Sequence, residues 1–149
     1  YVTPISDFEL DQLWKELTDD AAGESLDLEI LGRKLHVPKA AHGCARFSFS
    51  ELCENALAAP DYLALAHHFK TIFIDHVPIL KASQRNETKR FILMIDTFYD
   101  SGTQLVISAE AKPELLCTVG QHKAEFLRTA SRLQEMQSAS WWKSLEAAS

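Results

Sequence analysis

No glycine-rich phosphate loop occurs anywhere in the 149 residues. Neither G-x-x-x-x-G-K-[ST] nor G-x-G-x-x-G is present, so the chain by itself offers no backbone cradle for a triphosphate or a pyrophosphate. A G-x-S-x-G elbow is also missing, which excludes the nucleophile turn of a serine hydrolase. Cysteine is scarce: Cys44, Cys53 and Cys117 make an odd number and no C-x-x-C pair. That excludes a disulfide framework and points to a reducing compartment, with Cys53 and Cys117 read as small buried residues. No apolar run approaches the ~18 residues of a membrane span, and no signal-peptide pattern is visible. Basic charge is short as well, with 15 Lys and Arg against 21 Asp and Glu and a formal net charge of -6. Bulk attraction to nucleic acid is therefore not expected. Metal ligands are poorly spaced. His36, His42 and Cys44 are close in sequence only, and the adjacent His67 and His68 would point about 100° apart on a helix. No metal site is expected. The chain opens at Tyr1, without Met, and reads as a piece of something longer.

What is present is enough for a core. Hydrophobic residues make up 46% and charged residues 24%, which suits one compact domain, or one domain with a small appendage. Ser6 and Glu9 have capping-box spacing, and Leu10, Leu13, Trp14 and Leu17 follow at helical period, predicting a helix over 6–20. From Leu26 the period changes to two: Leu26, Leu28 and Ile30 alternate with acids, and Leu35 and Val37 flank His36. With Gly32-Arg33 between the runs, this predicts a hairpin. Residues 38–43, beginning at Pro38, are expected to be a connector, 45–49 a short strand and 50–55 a helical turn.

Beyond Asp61 the pattern becomes α/β. Asp61 is expected to cap a helix reaching Lys70. Two apolar runs, 71–75 and 104–109, predict strands buried on both faces. Between them a long helix over 83–100 buries Phe91, Ile92, Met94, Ile95, Phe98 and Tyr99, with Gly102 as its C′ residue. Strand, helix and strand make a βαβ unit with a parallel pair. Pro113 opens a short helix, and 124–138 is the last long one. The predicted class is therefore a layered α/β fold with a βαβ unit. A helix and hairpin appendage (1–58) precedes an α/β region (59–149).

Three charged sets carry functional readings. The strand 71–75 ends in Asp75, as a Walker B strand would, but His76 follows instead of the acid that would activate water; a structural aspartate is the reading adopted. Glu87 projects beside Phe91 at the edge of the buried face, where it needs a partner, and Arg90 at i+3 can reach it. This pair is read either as a structural ion pair or as lining an interface or a nucleotide-sensing surface. On the last helix Phe126, Ala130, Leu133 and Met136 form the core stripe, with Arg128 and Arg132 at i and i+4 on its flank and Glu135 near both. They read either as a solvated face or as phosphate-directed arginines, because a guanidinium on a rigid helix offers a fixed fork of donors to a γ-phosphate.

Three blocks carry a family resemblance: Arg85-Asn-Glu-Thr-Lys-Arg-Phe-Ile-Leu-Met-Ile-Asp-Thr-Phe-Tyr99, Leu105-Val-Ile-Ser-Ala-Glu110, and Arg128-Thr-Ala-Ser-Arg-Leu-Gln-Glu-Met-Gln-Ser138. Together they resemble the C-terminal third of the ZapE family of AFG-type ATPases, and S-R-L-x-E-M-Q is the most specific piece. Phe47–Cys53 and Asp61–Ala66 fit too, and residues 1–45 are the weakest part. The resemblance implies a P-loop-NTPase-like, AAA-like fold in a cytoplasmic parent that hydrolyses ATP with Mg. The Walker A and B segments and sensor-one strand would lie before Tyr1. It implies as partners the rest of the parent, further copies of itself and, in bacterial division, FtsZ; the mitochondrial relatives are linked to protein quality control. By its place on a late helix, Arg132 is assigned a sensor-two-like role, with Arg128 the second candidate; the family pattern does not settle which arginine acts as finger or sensor. No cofactor is expected on this chain alone. The alternative is a catalytically silent domain that binds a client such as FtsZ.

Overall fold

The computed structural model describes residues 2–3, 7–138 and 141, and the side chains of these from residue 9 on. The Ser6 cap and the chain after Trp141 lie outside the described residues. Six strands form one sheet in the order β1-β6-β5-β4-β3-β2. They are β1 (Val2–Thr3), β2 (Glu24–Ile30), β3 (Arg33–Ala41), β4 (Cys44–Ser48), β5 (Thr71–Val77) and β6 (Gln104–Ala109). The helices are α1 (Asp7–Thr18), α2 (Ala59–His68), α3 (Arg85–Ser101) and α4 (Lys123–Met136), with single turns at Ser50–Glu54 and Pro113–Leu115.

The strands β4, β5, β6 and β1 run parallel, while β2 and β3 add an antiparallel hairpin beside β4. The expected βαβ unit is therefore doubled: β4-α2-β5 precedes β5-α3-β6. Residue 58, where the sequence reading divides the chain, lies between β4 and β5, which pair along five residues of register. The layered α/β class stands as expected.

Alternation along the parallel strands sends side chains to two different cores. Ala45, Phe47, Ile72, Ile74, Leu105 and Ile107 face α2, α3 and α4 in the main core, together with Leu28, Ile30, Leu35 and Val37 of the hairpin. Cys44, Phe73 and Val106 face the other way, against Leu10 and Trp14 of α1. Trp14 meets Phe73 edge to face with ring centroids 5.1 Å apart, the geometry that ring quadrupoles favour. Gly102, at φ 71°, stops α3, and its N–H reaches the Phe98 and Tyr99 carbonyls, because a Cβ is costly in the left-handed region.

Two expectations are corrected. The connector predicted from Pro38 is part of β3, which runs on to Ala41. The register with β2 jumps between Leu26↔Val37 and Glu24↔Ala40, so β3 carries one extra residue around Pro38. A bulge is where a sheet tolerates a residue with no N–H to donate. Asp61 does not cap α2 from outside; the helix starts at Ala59, and Asp61 sits in its first turn accepting the Ala58 N–H at 2.8 Å. A carboxylate in a first turn gains the helix dipole as well as the hydrogen bond.

Candidate functional site

Helix α4 lies against α3 through stacked Phe91 and Phe126, with centroids 5.9 Å apart. The core stripe predicted for α4 is buried as expected, from Phe126 and Ala130 to Leu133 and Met136. That packing turns the Arg128 and Arg132 flank of α4 toward the Asp96 flank of α3. Asp96 spans the two arginines: Oδ1 accepts from Arg132 Nη1, and Oδ2 accepts from Arg128 Nη2 at 3.1 Å. The two arginines are not equivalent. The Arg132 side chain is 23% exposed, Asp96 22% and Arg128 66%. Arg132 also lies over the Tyr99 ring, its Cζ 4.8 Å from the centroid, and Trp141 stacks on the same ring at 5.2 Å. Arg132 is therefore fixed by an ion pair and an aromatic face, while Arg128 is tethered at one end and open to solvent.

The Glu135 expected near both arginines instead accepts the Tyr99 hydroxyl, which raises the phenol's pKa above its ordinary value. Hydrogen bonding to a carboxylate favours the neutral phenol, so the cause is the bond itself. The other anticipated pair is also redistributed. Arg90, half-buried, donates Nη1 to the Cys53 carbonyl at 3.0 Å rather than to Glu87, tying α3 to the Ser50–Glu54 turn. Glu87 remains half-buried at the start of α3. In both cases the partner comes from another element rather than from a neighbour at helical spacing.

Two charged clusters were not anticipated. Arg46 of β4 makes a two-pronged contact with Asp75 of β5, Nε to Oδ2 at 2.8 Å and Nη2 to Oδ1 at 2.9 Å, and extends Nη1 to Asp11 of α1 at 2.7 Å. This gives the strand-end Asp75 its structural partner. Next to it His76 has φ 62°, where β5 carries an extra residue relative to β6, and its N–H donates to Ser108 Oγ at 2.9 Å. The second cluster is Asp61, fully buried, whose Oδ1 meets Arg33 Nη2 of the hairpin turn at 2.6 Å in an ionic contact rather than a directed hydrogen bond. The only sequence signal for either was an arginine in or beside a strand with an apolar face.

On another face of α4 a shallow pocket of ≈130 Å³ opens toward the Pro113–Leu115 turn, lined by Glu114, Cys117, Leu127, Ala130 and Gln134 among others. Among the described residues no group of three or more His, Cys, Asp or Glu side chains is placed to hold a metal ion. His36 is engaged with Asp27 and the Cys44 thiol with the Leu17 carbonyl. No described helix is long and apolar enough to cross a membrane.

The AFG1-like ATPase family model matches residues 4–144, and the chain belongs to that family. Cell division protein ZapE of Escherichia coli K12 is 34% identical over 146 residues, which cover 96% of this chain and 39% of that protein. Lactation elevated protein 1 homolog B of Danio rerio is 32% identical over 147 residues, 77% of this chain and 29% of that protein. The chain thus spans about two fifths of the length of the first of these relatives. No solved structure matches it.

Proposed function

We propose that the chain is the C-terminal module of a cytoplasmic, ATP-hydrolysing protein acting in cell division, and that α4 serves the nucleotide through Arg128. Support comes from the family match over residues 4–144 and from the kinship with a protein named for cell division. The observation that carries the arginine role is the division of labour on Asp96. Arg132 is held on Tyr99 and acts as the positioning residue, whereas Arg128, 66% exposed, keeps donors facing solvent. The chain's own residues do not fit ATP and Mg. They include no phosphate loop, and no metal-ligating group is found among the described residues. The triphosphate and its metal are therefore assigned to the remainder of the parent protein. What this chain supplies is a guanidinium fork fixed on a helix, suited to stabilising charge on a phosphoryl group without covalent chemistry.

Replacing Arg128 with Ala in the full-length protein tests the reading. A fall in ATP turnover of ten-fold or more, without loss of folding, is expected, since a phosphate-directed arginine contributes about 10³-fold or more in the strongest cases. Turnover equal to that of the unaltered protein would remove Arg128 from the chemistry.

A second reading rests on a different observation. Leu127, Leu115 and Val119 are 73%, 53% and 51% exposed, and Leu127 and Cys117 line the shallow pocket next to α4. Exposed apolar side chains around a concavity favour a protein-interaction module, with FtsZ the client that the ZapE resemblance implies. A pull-down with the 149-residue chain tests it: retention of FtsZ that survives R128A but is lost in Leu127→Asp favours this reading.

A further inference from the structure

We infer that Asp96 is a built-in counter-anion that withholds Arg128 from phosphate oxyanions until one displaces it. The inference rests on the reading of Arg128 given above and adds its regulation.

The geometry argues for competition rather than for a simple structural pair. One carboxylate is shared by two guanidinium groups at i and i+4, so each takes a single oxygen and neither has the two-pronged contact seen between Arg46 and Asp75. A bidentate fork is the arrangement in which Arg is most strongly held; a single-oxygen contact leaves donors unspent. The two halves differ in what else holds them. Arg132 has the Tyr99 ring beneath it and stays when the other contact is broken. Arg128 is held by Asp96, at 3.1 Å and largely in water. Exposed ion pairs of this kind are weak, so a dianionic phosphate approaching from solvent exchanges with Asp96 at Arg128 while Asp96 remains on Arg132. The carboxylate also repels the incoming anion for as long as it faces it. Asp96 thus does two things to one arginine: it neutralises it at rest and sets a threshold for the ligand. The ligand class is a phosphate oxyanion, as free phosphate or a nucleotide's terminal group presents it.

The test is an NMR titration of the Arg128 Nε–Hε resonance in the 149-residue protein with inorganic phosphate, with sodium chloride at matched ionic strength as the control. In the unaltered protein phosphate moves the resonance weakly. In Asp96→Asn the midpoint falls about ten-fold, because an exposed competing pair and a repelling charge are removed together. In Arg128→Ala that resonance disappears, which assigns it, and the fold is retained because that side chain is mostly in solvent. Asp96→Ser, which also removes the charge, gives the same direction of change if Asp96→Asn does not fold. A second titration with ATP separates the two sources, and a gain of at least the same size in Asp96→Asn supports the threshold there as well. An unchanged midpoint in both Asp96 variants, or a response to chloride equal to that for phosphate, overturns the inference. The underlying reading fails separately: it falls if R128A leaves turnover of the full-length protein unchanged, and it stands if turnover drops while the Asp96 variants show no gain.

Discussion

Replacing Arg132 with Ala should destabilise the chain far more than replacing Arg128, and the difference can be worked from the structure. Arg132 and Asp96 are each about three-quarters buried. Breaking such a pair lies between the ~0–1 kcal/mol of an exposed bridge and the ~3–5 kcal/mol of a fully buried one. About 1–2 kcal/mol is a fair value for the pair, and the loss of the guanidinium from the Tyr99 face adds about 0.5–1 kcal/mol. R132A should therefore cost about 2 kcal/mol, which in a chain of this size lowers Tm by roughly 4–8 °C. R128A removes one exposed contact and should cost no more than about 0.5 kcal/mol. The assay is urea unfolding of the 149-residue chain followed by far-UV circular dichroism, with D96A and both double mutants completing the cycles. The expected coupling of Asp96 with Arg132 is about 1–2 kcal/mol, and with Arg128 about 0.5 kcal/mol or less. Equal costs for R128A and R132A, or equal couplings, would refute the division of labour assigned to the two arginines. The consequence for function is practical: turnover lost in R132A carries a folding component, whereas turnover lost in R128A does not.

Three further outcomes are expected. R46A strands Asp75, whose side chain is 14% exposed, and should cost about 3 kcal/mol in urea unfolding, while R46A/D75A recovers much of that; additive single costs would contradict the pairing. Tyr62→Phe removes the hydroxyl that donates to the Leu52 carbonyl at 2.7 Å in the core, leaving that carbonyl unpaired at a cost of about 1–2 kcal/mol, and an unchanged urea midpoint would contradict it. The third concerns pH. Burial, the largest cause, pushes the Cys53 thiol and the Tyr62 phenol above their ordinary values of 9.0 and 10.0. Both groups hold their protons more tightly folded than unfolded, so their contribution is complete below the unfolded values and is lost as pH rises through the folded ones. The urea midpoint should therefore fall from about pH 9 upward, and it should fall less in Cys53→Ala measured against its own neutral-pH value.

Much of the fold was legible because the information was local. The six-residue stripe of α3 and Gly102 after it, the apolar runs of β5 and β6, and the period-two alternation of β2 and β3 each follow from which side chains one backbone geometry brings to one face. Pro38 misled for the same reason. A residue without an N–H reads as a break, and the pairing of Lys39–Ala41 with β4 and of Ala40 with Glu24 of β2 shows the strand continuing through a bulge. The family was legible too, through blocks whose order and spacing survive in the chain.

What the sequence determined by itself, then, is the set of elements, the α/β class and the presence of two arginines one turn apart on a late helix. What only the tertiary structure decided is which charges meet. Local spacing offered Glu87 to Arg90 and Glu135 to Arg128 and Arg132. The folded chain gives Arg90 to the Cys53 carbonyl, Glu135 to Tyr99, and both α4 arginines to Asp96, 32 and 36 residues away. The physical reason is solvation. A pair at i and i+3 or i+4 on one helix stays in water and gains little. Between two packed elements a pair strengthens with its burial: Arg132 and Asp96 are about three-quarters buried, while Arg128 stays largely in water. The missing phosphate loop was visible in the sequence; which α4 arginine lies over Tyr99 and which stays exposed was decided by the packing of α4 on α3.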